Sequence, residues 1–86
     1  MLLTVDVRNT NIVLGVFTGS GDHARLTRQR RMRTDASMTA DELALTFRGL
    51  LGPDVETITG VAALSTVPSV LREIRTMLGR YWSHVP

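Results

Sequence analysis

A short polar segment near the start of the chain carries side chains that could bind metal and phosphate. Asp6 lies near the end of an apolar run, and Asn9 and Thr10 follow closely. Mg²⁺ binds proteins through one or two carboxylates together with water and phosphate oxygens, so Asp6 could hold a hydrated ion. Turn amides and the side chains of Asn9 and Thr10 could donate to phosphate oxygens. Gly15 would let backbone or a ligand approach closely.

The same residues also have a purely structural interpretation. Asn and Asp side chains readily form hydrogen bonds with nearby backbone, so Asp6 and Asn9 could simply shape a turn. The spacing D-x-x-N-T does not by itself decide between the two.

Composition excludes several other chemistries. The chain has no cysteine, which removes disulfides, thiolate metal sites and cysteine nucleophiles. All ten basic residues are arginine, and a P-loop needs a lysine. No apolar run approaches the roughly 20 residues that span a bilayer, and Asp6 comes too early for a signal peptide. These features predict a cytoplasmic protein with no membrane partner.

Two apolar runs rich in β-forming residues predict a hairpin. They are Leu2 to Val7 and Ile12 to Thr18, with Asn9-Thr10-Asn11 between them. Both faces of both runs are mostly apolar, as expected of central strands that are covered on two sides.

Ala24 to Arg33 predicts a third strand with Ala24, Leu26 and Met32 on one face. Five of its residues are arginine, at positions 25, 28, 30, 31 and 33. Charge of this density suits an edge strand, where it blocks pairing with foreign strands. A nucleic-acid surface is the alternative, but the segment lacks aromatic residues that stack on bases.

Two helices and one more strand complete the pattern. Thr39-Ala40-Asp41-Glu42 is a capping box, and the apolar spacing after it predicts a helix that Gly52-Pro53 ends. Gly60 to Ser65 predicts a buried parallel strand. A second helix begins near Pro68 and runs to about Tyr81 or Trp82, with Tyr81 on its apolar face.

This order predicts an α/β fold with a mixed sheet of order 3-2-1-4 and both helices packed on it. The first strand then has a neighbour on each side and cover on each face. One sheet edge is left for a further parallel strand, so we expect residues 1–86 to be a domain truncated before its last strand.

Three motifs resemble those of type III pantothenate kinases. Asp6-Val7-Arg8-Asn9-Thr10 followed by apolar residues and Gly15 is similar to the family's first phosphate motif, D-x-G-N-T. Thr39-Ala40-Asp41-Glu42-Leu43 resembles the start of its first helix. Leu64-Ser65-Thr66-Val67-Pro68-Ser69 resembles its S-x-V-P strand-to-helix junction. The matches lie in the family's order, cover essentially the whole chain, and have an actinobacterial character.

The resemblance implies the first domain of an actin-like, ribonuclease H-like kinase fold, with a second domain absent from this chain. It implies transfer of the γ-phosphate of ATP to pantothenate, the first step of coenzyme A synthesis. ATP, Mg²⁺ and a monovalent cation (K⁺ or NH₄⁺) are then expected, with a homodimer and no nucleic-acid partner. Asp6 would lie near the metal, and the ATP-phosphate site would comprise Asp6, Val7, Arg8, Asn9, Thr10, Asn11, Ile12 and Val13.

The family's general base is an aspartate in a G-A-D-R motif, which this resemblance places beyond Pro86. Residues 1–86 are therefore expected to be inactive alone. Arg8 stands where the motif has glycine, so it either changes the turn or adds a guanidinium that reaches phosphate. The alternatives are another actin-like kinase or ATPase, and a non-enzymatic regulator like the Bvg accessory factor.

Overall fold

A computed structural model describes residues 1–19 and 21–85 of the chain. Its strands are β1 (Leu2–Val7), β2 (Asn11–Thr18), β3 (Arg25–Arg33) and β4 (Gly60–Ser65). Its α-helices are α1 (Ala40–Leu51) and α2 (Pro68–Tyr81). Two 3₁₀ helices, Gly21–His23 and Gly52–Thr57, occupy connecting segments. The predicted elements are all present, whereas the 3₁₀ turn after α1 was not expected. The prediction that Gly60–Ser65 is buried was wrong, because β4 lies at a sheet edge and Ala62, Ala63 and Leu64 are exposed.

The four strands form one mixed sheet in the order β3-β2-β1-β4. β1 runs antiparallel to β2, with Asp6 opposite Val13, and parallel to β4, with Asp6 opposite Leu64. The arginine-rich β3 lies at an edge. The predicted strand order and the pairing of β1 with β4 are therefore confirmed.

The hydrophobic core lies on one face of this sheet. Leu3, Val5 and Val7 of β1 are buried there together with Ile12, Leu14 and Val16 of β2. Both helices supply the other side of this core, through residues that include Phe47 and Ile74. Strand side chains alternate between faces, so Leu2, Thr4 and Asp6 point the other way.

That second surface, which we call the open face, is not covered by any of the described residues. Leu2 is 42% exposed and Leu64 is 73% exposed. The prediction that both faces of the central strands are covered is therefore wrong, since the described part of the chain covers only one face. Both helices pack against the same face of the sheet and against each other, so they leave the other face open.

β3 also departs from the predicted alternation. Met32 lies opposite Ile12 and packs against the core, whereas Leu26 lies opposite Phe17 and is 48% exposed. A register shift between Val16 and Phe17 explains the difference. A β-bulge puts one extra residue into a strand, so side chains before and after it exchange faces. The prediction that Leu26 and Met32 share a face was wrong.

The two helices are held by a capping box and by aromatic packing. The Thr39 hydroxyl accepts from the Glu42 backbone N–H at 3.2 Å, and the Glu42 carboxylate accepts from the Thr39 N–H at 2.9 Å. Trp82 is buried after α2 and meets Phe47 edge-on, with ring centroids 6.2 Å apart. Tyr81, predicted on the apolar face, is instead 48% exposed and donates to Asp41. Neither helix is long and apolar enough to cross a membrane.

Candidate phosphate-binding site

The β1–β2 turn (Arg8–Thr10) lies at the end of the two central strands. Asp6 is the last open-face residue of β1 before this turn, because Val7 points into the core. Asn9 and Thr10 are exposed at the tip. The sequence-predicted polar residues thus lie together at one end of the sheet and are open to solvent.

Hydrogen bonds from both neighbouring segments fix this turn. After β3, the Thr34 hydroxyl donates to the Arg8 carbonyl at 2.7 Å and the Thr34 N–H donates to the Thr10 carbonyl at 3.0 Å. After β4, the Thr66 N–H donates to the Val7 carbonyl at 3.0 Å. The turn is therefore anchored on its two sides before any ligand binds.

The Asp6 carboxylate is partly exposed and has a cationic neighbour. The Arg8 Nε donates to Asp6 Oδ1 at 2.9 Å, and the Asp6 side chain is 40% exposed. This hydrogen bond, and then the charge of Asp6, raises the pKa of Arg8 above its ordinary value. No backbone N–H of the described residues donates to this carboxylate, so Asp6 does not act there as a turn-shaping acceptor.

An open depression of about 280 Å³ lies beside Asp6. It is lined by Asp6, Val7, Arg8, Leu64, Ser65 and Thr66. The Ser65 hydroxyl accepts from the Val67 N–H at 2.9 Å, so it holds the start of α2. The partial positive charge of a helix N-terminus consequently lies at the same end of the sheet and favours an anion there.

The backbone of the turn does not require glycine at position 8. Within the described residues, positive φ angles occur only at Gly19, Gly21 and Gly52. Arg8 therefore adopts a conformation open to any residue, and its N–H donates to the Asn11 carbonyl at 2.9 Å. The two alternatives for this position, a changed turn and an added guanidinium that reaches phosphate, both remain predictions.

The remaining predicted residues divide by where they lie. Val7 and Ile12 are buried in the core, so they could offer a ligand only backbone groups. Val13 lies opposite Asp6 and is half-buried. The Asn11 amide donates to the Thr10 hydroxyl at 3.2 Å, which orients the tip of the turn.

Sequence reasoning missed two threonines and misread one glycine. Thr34 and Thr66 lie far from the turn in sequence, and only the pairing of β3 and β4 brings them to it. Gly15 pairs with Thr4 in the middle of β2, and a Cβ atom added at residue 15 would lie 2.7 Å from the Thr4 hydroxyl oxygen. The close approach at Gly15 thus belongs to strand packing and not to a ligand.

The donor set at Asp6 fits a hydrated magnesium ion. The described residues contain no group of three or more His, Cys, Asp or Glu side chains that could enclose a metal. A single exposed carboxylate beside an open depression leaves room for water and phosphate oxygens, which Mg²⁺ retains as ligands. Asp6 is the residue that would hold it.

Comparison with known proteins decides the family. A family model described as type III pantothenate kinase matches residues 2–86. The chain belongs to the type III pantothenate kinase family.

Relatives that carry this name agree over the whole chain. It is 78% identical to the type III pantothenate kinase of Rhodococcus jostii (strain RHA1) over 86 residues, all of this chain and 32% of the relative. The protein of the same name from Nocardia farcinica (strain IFM 10152) is 67% identical, and here the chain covers 33% of the relative. The one from Mycobacterium avium (strain 104) is 59% identical with 32% covered.

The chain thus spans about a third of the length of these type III pantothenate kinases. The family resemblance drawn from the three motifs is confirmed, and with it the actinobacterial character of the sequence. The ligand roles of Asp6 to Val13, and the assignment of residues 1–86 as a truncated first domain, remain predictions.

Proposed function

We propose that residues 1–86 form the ATP phosphate-binding subdomain of a type III pantothenate kinase. The whole protein would transfer the γ-phosphate of ATP to the primary hydroxyl of pantothenate and so begin coenzyme A synthesis. The observation that carries the proposal is the anchored turn beside Asp6, where exposed donors and one carboxylate meet. It accords with the family to which the chain belongs.

Each part of the site would have a distinct task. Catalysis of phosphoryl transfer depends mainly on positioning and on neutralising phosphate charge. The Asn9 and Thr10 side chains and the turn amides would bind phosphate oxygens, while Thr34 and Thr66 keep the turn in place. When bound at Asp6, Mg²⁺ supplies positive charge to the phosphates.

Other features of the proposal belong to the longer protein. These are the pantothenate contacts, the general base, a monovalent cation site, a homodimer and a cytoplasmic location. They are supported by the family resemblance alone, because no contact among the described residues bears on them.

Titration of the ¹⁵N-labelled chain with MgATP tests the binding role. We expect amide shifts centred on residues 6–11 in the original chain. Asp6→Asn should weaken this response, and the matched control Asp22→Asn, at an exposed carboxylate in the 3₁₀ turn Gly21–His23, should not. Shifts spread over other parts of the chain, or an equal effect of both variants, would contradict the proposal.

The activity prediction is that residues 1–86 alone form no phosphopantothenate with saturating ATP and Mg²⁺. General-base catalysis contributes about 10²- to 10⁴-fold, and positioning of reactants about 7 to 11 kcal/mol, and we expect both to need the longer protein. Purified chain is assayed beside a protein extended to the length of the relatives, with Asp6→Ala in each. Turnover by the 86-residue chain that Asp6→Ala abolishes would show that the machinery has been misplaced.

A further inference from the structure

Arg8 occupies the carboxylate that a metal ion would use. Its Nε lies 2.9 Å from Asp6 Oδ1, and this is the ion pair that the described residues form at the end of β1. A divalent cation and a guanidinium compete for the same oxygen atoms. Metal binding at Asp6 would therefore displace the Arg8 side chain or share the carboxylate with it.

The Arg8 side chain is free to move while its backbone stays fixed. Its N–H bonds to Asn11 and its carbonyl accepts from Thr34, so the backbone contacts of residue 8 do not involve the guanidinium. The side chain is 63% exposed, and within residues 1–19 and 21–85 Asp6 is its one charged partner. Rotation about side-chain bonds can therefore move the charge without disturbing the turn.

The guanidinium also stands at the point where phosphate oxygens are expected. Arg8 precedes the exposed donors Asn9 and Thr10 directly. A guanidinium binds phosphate oxygens through parallel charge-assisted hydrogen bonds. An exposed ion pair contributes little free energy in water. Breaking the Arg8–Asp6 pair so that Arg8 can bind a phosphate group therefore costs little.

We propose that Arg8 is a mobile cation of this site, held on Asp6 when no ligand is bound and moved to the phosphate chain when a divalent cation takes the carboxylate. This inference deepens the proposed function and rests on it. It assigns Arg8 two opposite effects, because the side chain competes with the metal but assists the triphosphate. If Arg8 only stabilised the turn, its substitution would not change the affinities for Mg²⁺ and triphosphate in opposite directions.

The experiment measures the two ligands separately on the 86-residue chain. Amide shifts of residues 6–11 are followed at constant ionic strength, first with MgCl₂ alone and then with sodium triphosphate premixed with equimolar Mg²⁺. Arg8→Gln is compared with Arg48→Gln. Arg48, on α1, is a matched control because its side chain is 62% exposed and forms an ion pair with Glu56 at 3.7 Å. Its substitution by glutamine removes the same charge as Arg8→Gln.

We expect Arg8→Gln to tighten Mg²⁺ binding about two- to fivefold, the range for loss of an exposed ion pair. The same change should weaken triphosphate binding roughly tenfold or more, since a hydrogen bond to a charged group is lost. Arg48→Gln should change the Mg²⁺ and triphosphate affinities only by the small amount expected from the loss of one distant positive charge. Arg8→Lys, which keeps the charge but not the fork, should retain Mg²⁺ competition and recover only part of the triphosphate affinity.

Two results would overturn the inference alone. In the first, Arg8→Gln weakens the binding of both Mg²⁺ and triphosphate. In the second, Arg8→Gln has the same effect on both affinities as Arg48→Gln, while the amides of residues 6–11 still shift when ligand is added. If instead neither ligand shifts residues 6–11 in any variant, the proposed function fails and the inference falls with it.

Discussion

Gly15 offers a test of the packing on the open face. A methyl group added there would lie 2.7 Å from Thr4 Oγ1, 3.2 Å from Leu26 Cδ1 and 3.4 Å from Phe17 Cε1. The Leu26 side chain is 48% exposed and can move aside. The Thr4 hydroxyl is more constrained, because it is attached to a β-branched side chain and donates to the Gly15 carbonyl at 3.3 Å. Thr4 therefore decides the cost of Gly15→Ala.

The expected size follows from two opposing effects. Overpacking costs about 1 to 3 kcal/mol, whereas replacing glycine by alanine stabilises by about 0.4 to 1 kcal/mol through the unfolded chain. Gly15→Ala should thus lower the free energy of unfolding by about 1 to 2 kcal/mol, or about 4 to 16 °C in Tm for a domain of this size. In a Thr4→Ala background the clash is gone, and the same change should be neutral or stabilising.

Urea unfolding of four proteins completes the cycle: the original chain, Gly15→Ala, Thr4→Ala and the double variant. We expect a coupling energy of about 1 to 3 kcal/mol between the two positions. An equal cost of Gly15→Ala in both backgrounds would refute the reasoning, since it would mean that Thr4 does not set the space at residue 15.

Two further predictions concern the helices. Thr39→Ala should reduce the free energy of unfolding by about 1 kcal/mol in urea, because it removes the acceptor for the Glu42 N–H, whereas the control Thr46→Ala inside α1 should cost little. Equal losses would contradict the capping-box argument. The Tyr81 hydroxyl, and then Arg80, lowers the pKa of Asp41. A lowered carboxylate pKa gives stability that is present above its unfolded value, about 3.9, and is lost as the pH falls below it. Tyr81→Phe should therefore raise the pKa of Asp41 in a ¹³C NMR titration and reduce this acid-side loss, and an unchanged pKa would refute the assignment.

Local patterns in the sequence predicted the elements and their order well. The capping box at Thr39 fixed the start of α1, and the apolar β1 implied a neighbour on each side, which the structure confirms. These features depend on residues close together in the chain or on a requirement that a whole strand must satisfy.

Errors arose where one residue changes the relation between distant segments. The register shift in β3 moved Leu26 to the open face, and no local signal marks it, because alternation looks the same on both sides of a bulge. Tyr81 fits a helical apolar face by spacing, but the nearby Asp41 gives its hydroxyl a partner at the surface. Thr34 carries no motif of its own, and its hold on the turn follows from sheet pairing alone.

The sheet order also determines which strands can pair first while the chain is being synthesised. β1, β2 and β3 are consecutive and can pair once Arg33 has emerged from the ribosome, but β1 must wait for its parallel neighbour β4, which ends at Ser65. At about 5 to 20 residues per second, the interval is roughly two to six seconds. A hairpin forms in microseconds, so the three-stranded meander would be formed long before its partner exists. Throughout that interval the edge of β1 carries unpaired backbone groups between apolar side chains, and this is the stage at which a nascent chain is most open to pairing with the wrong strand.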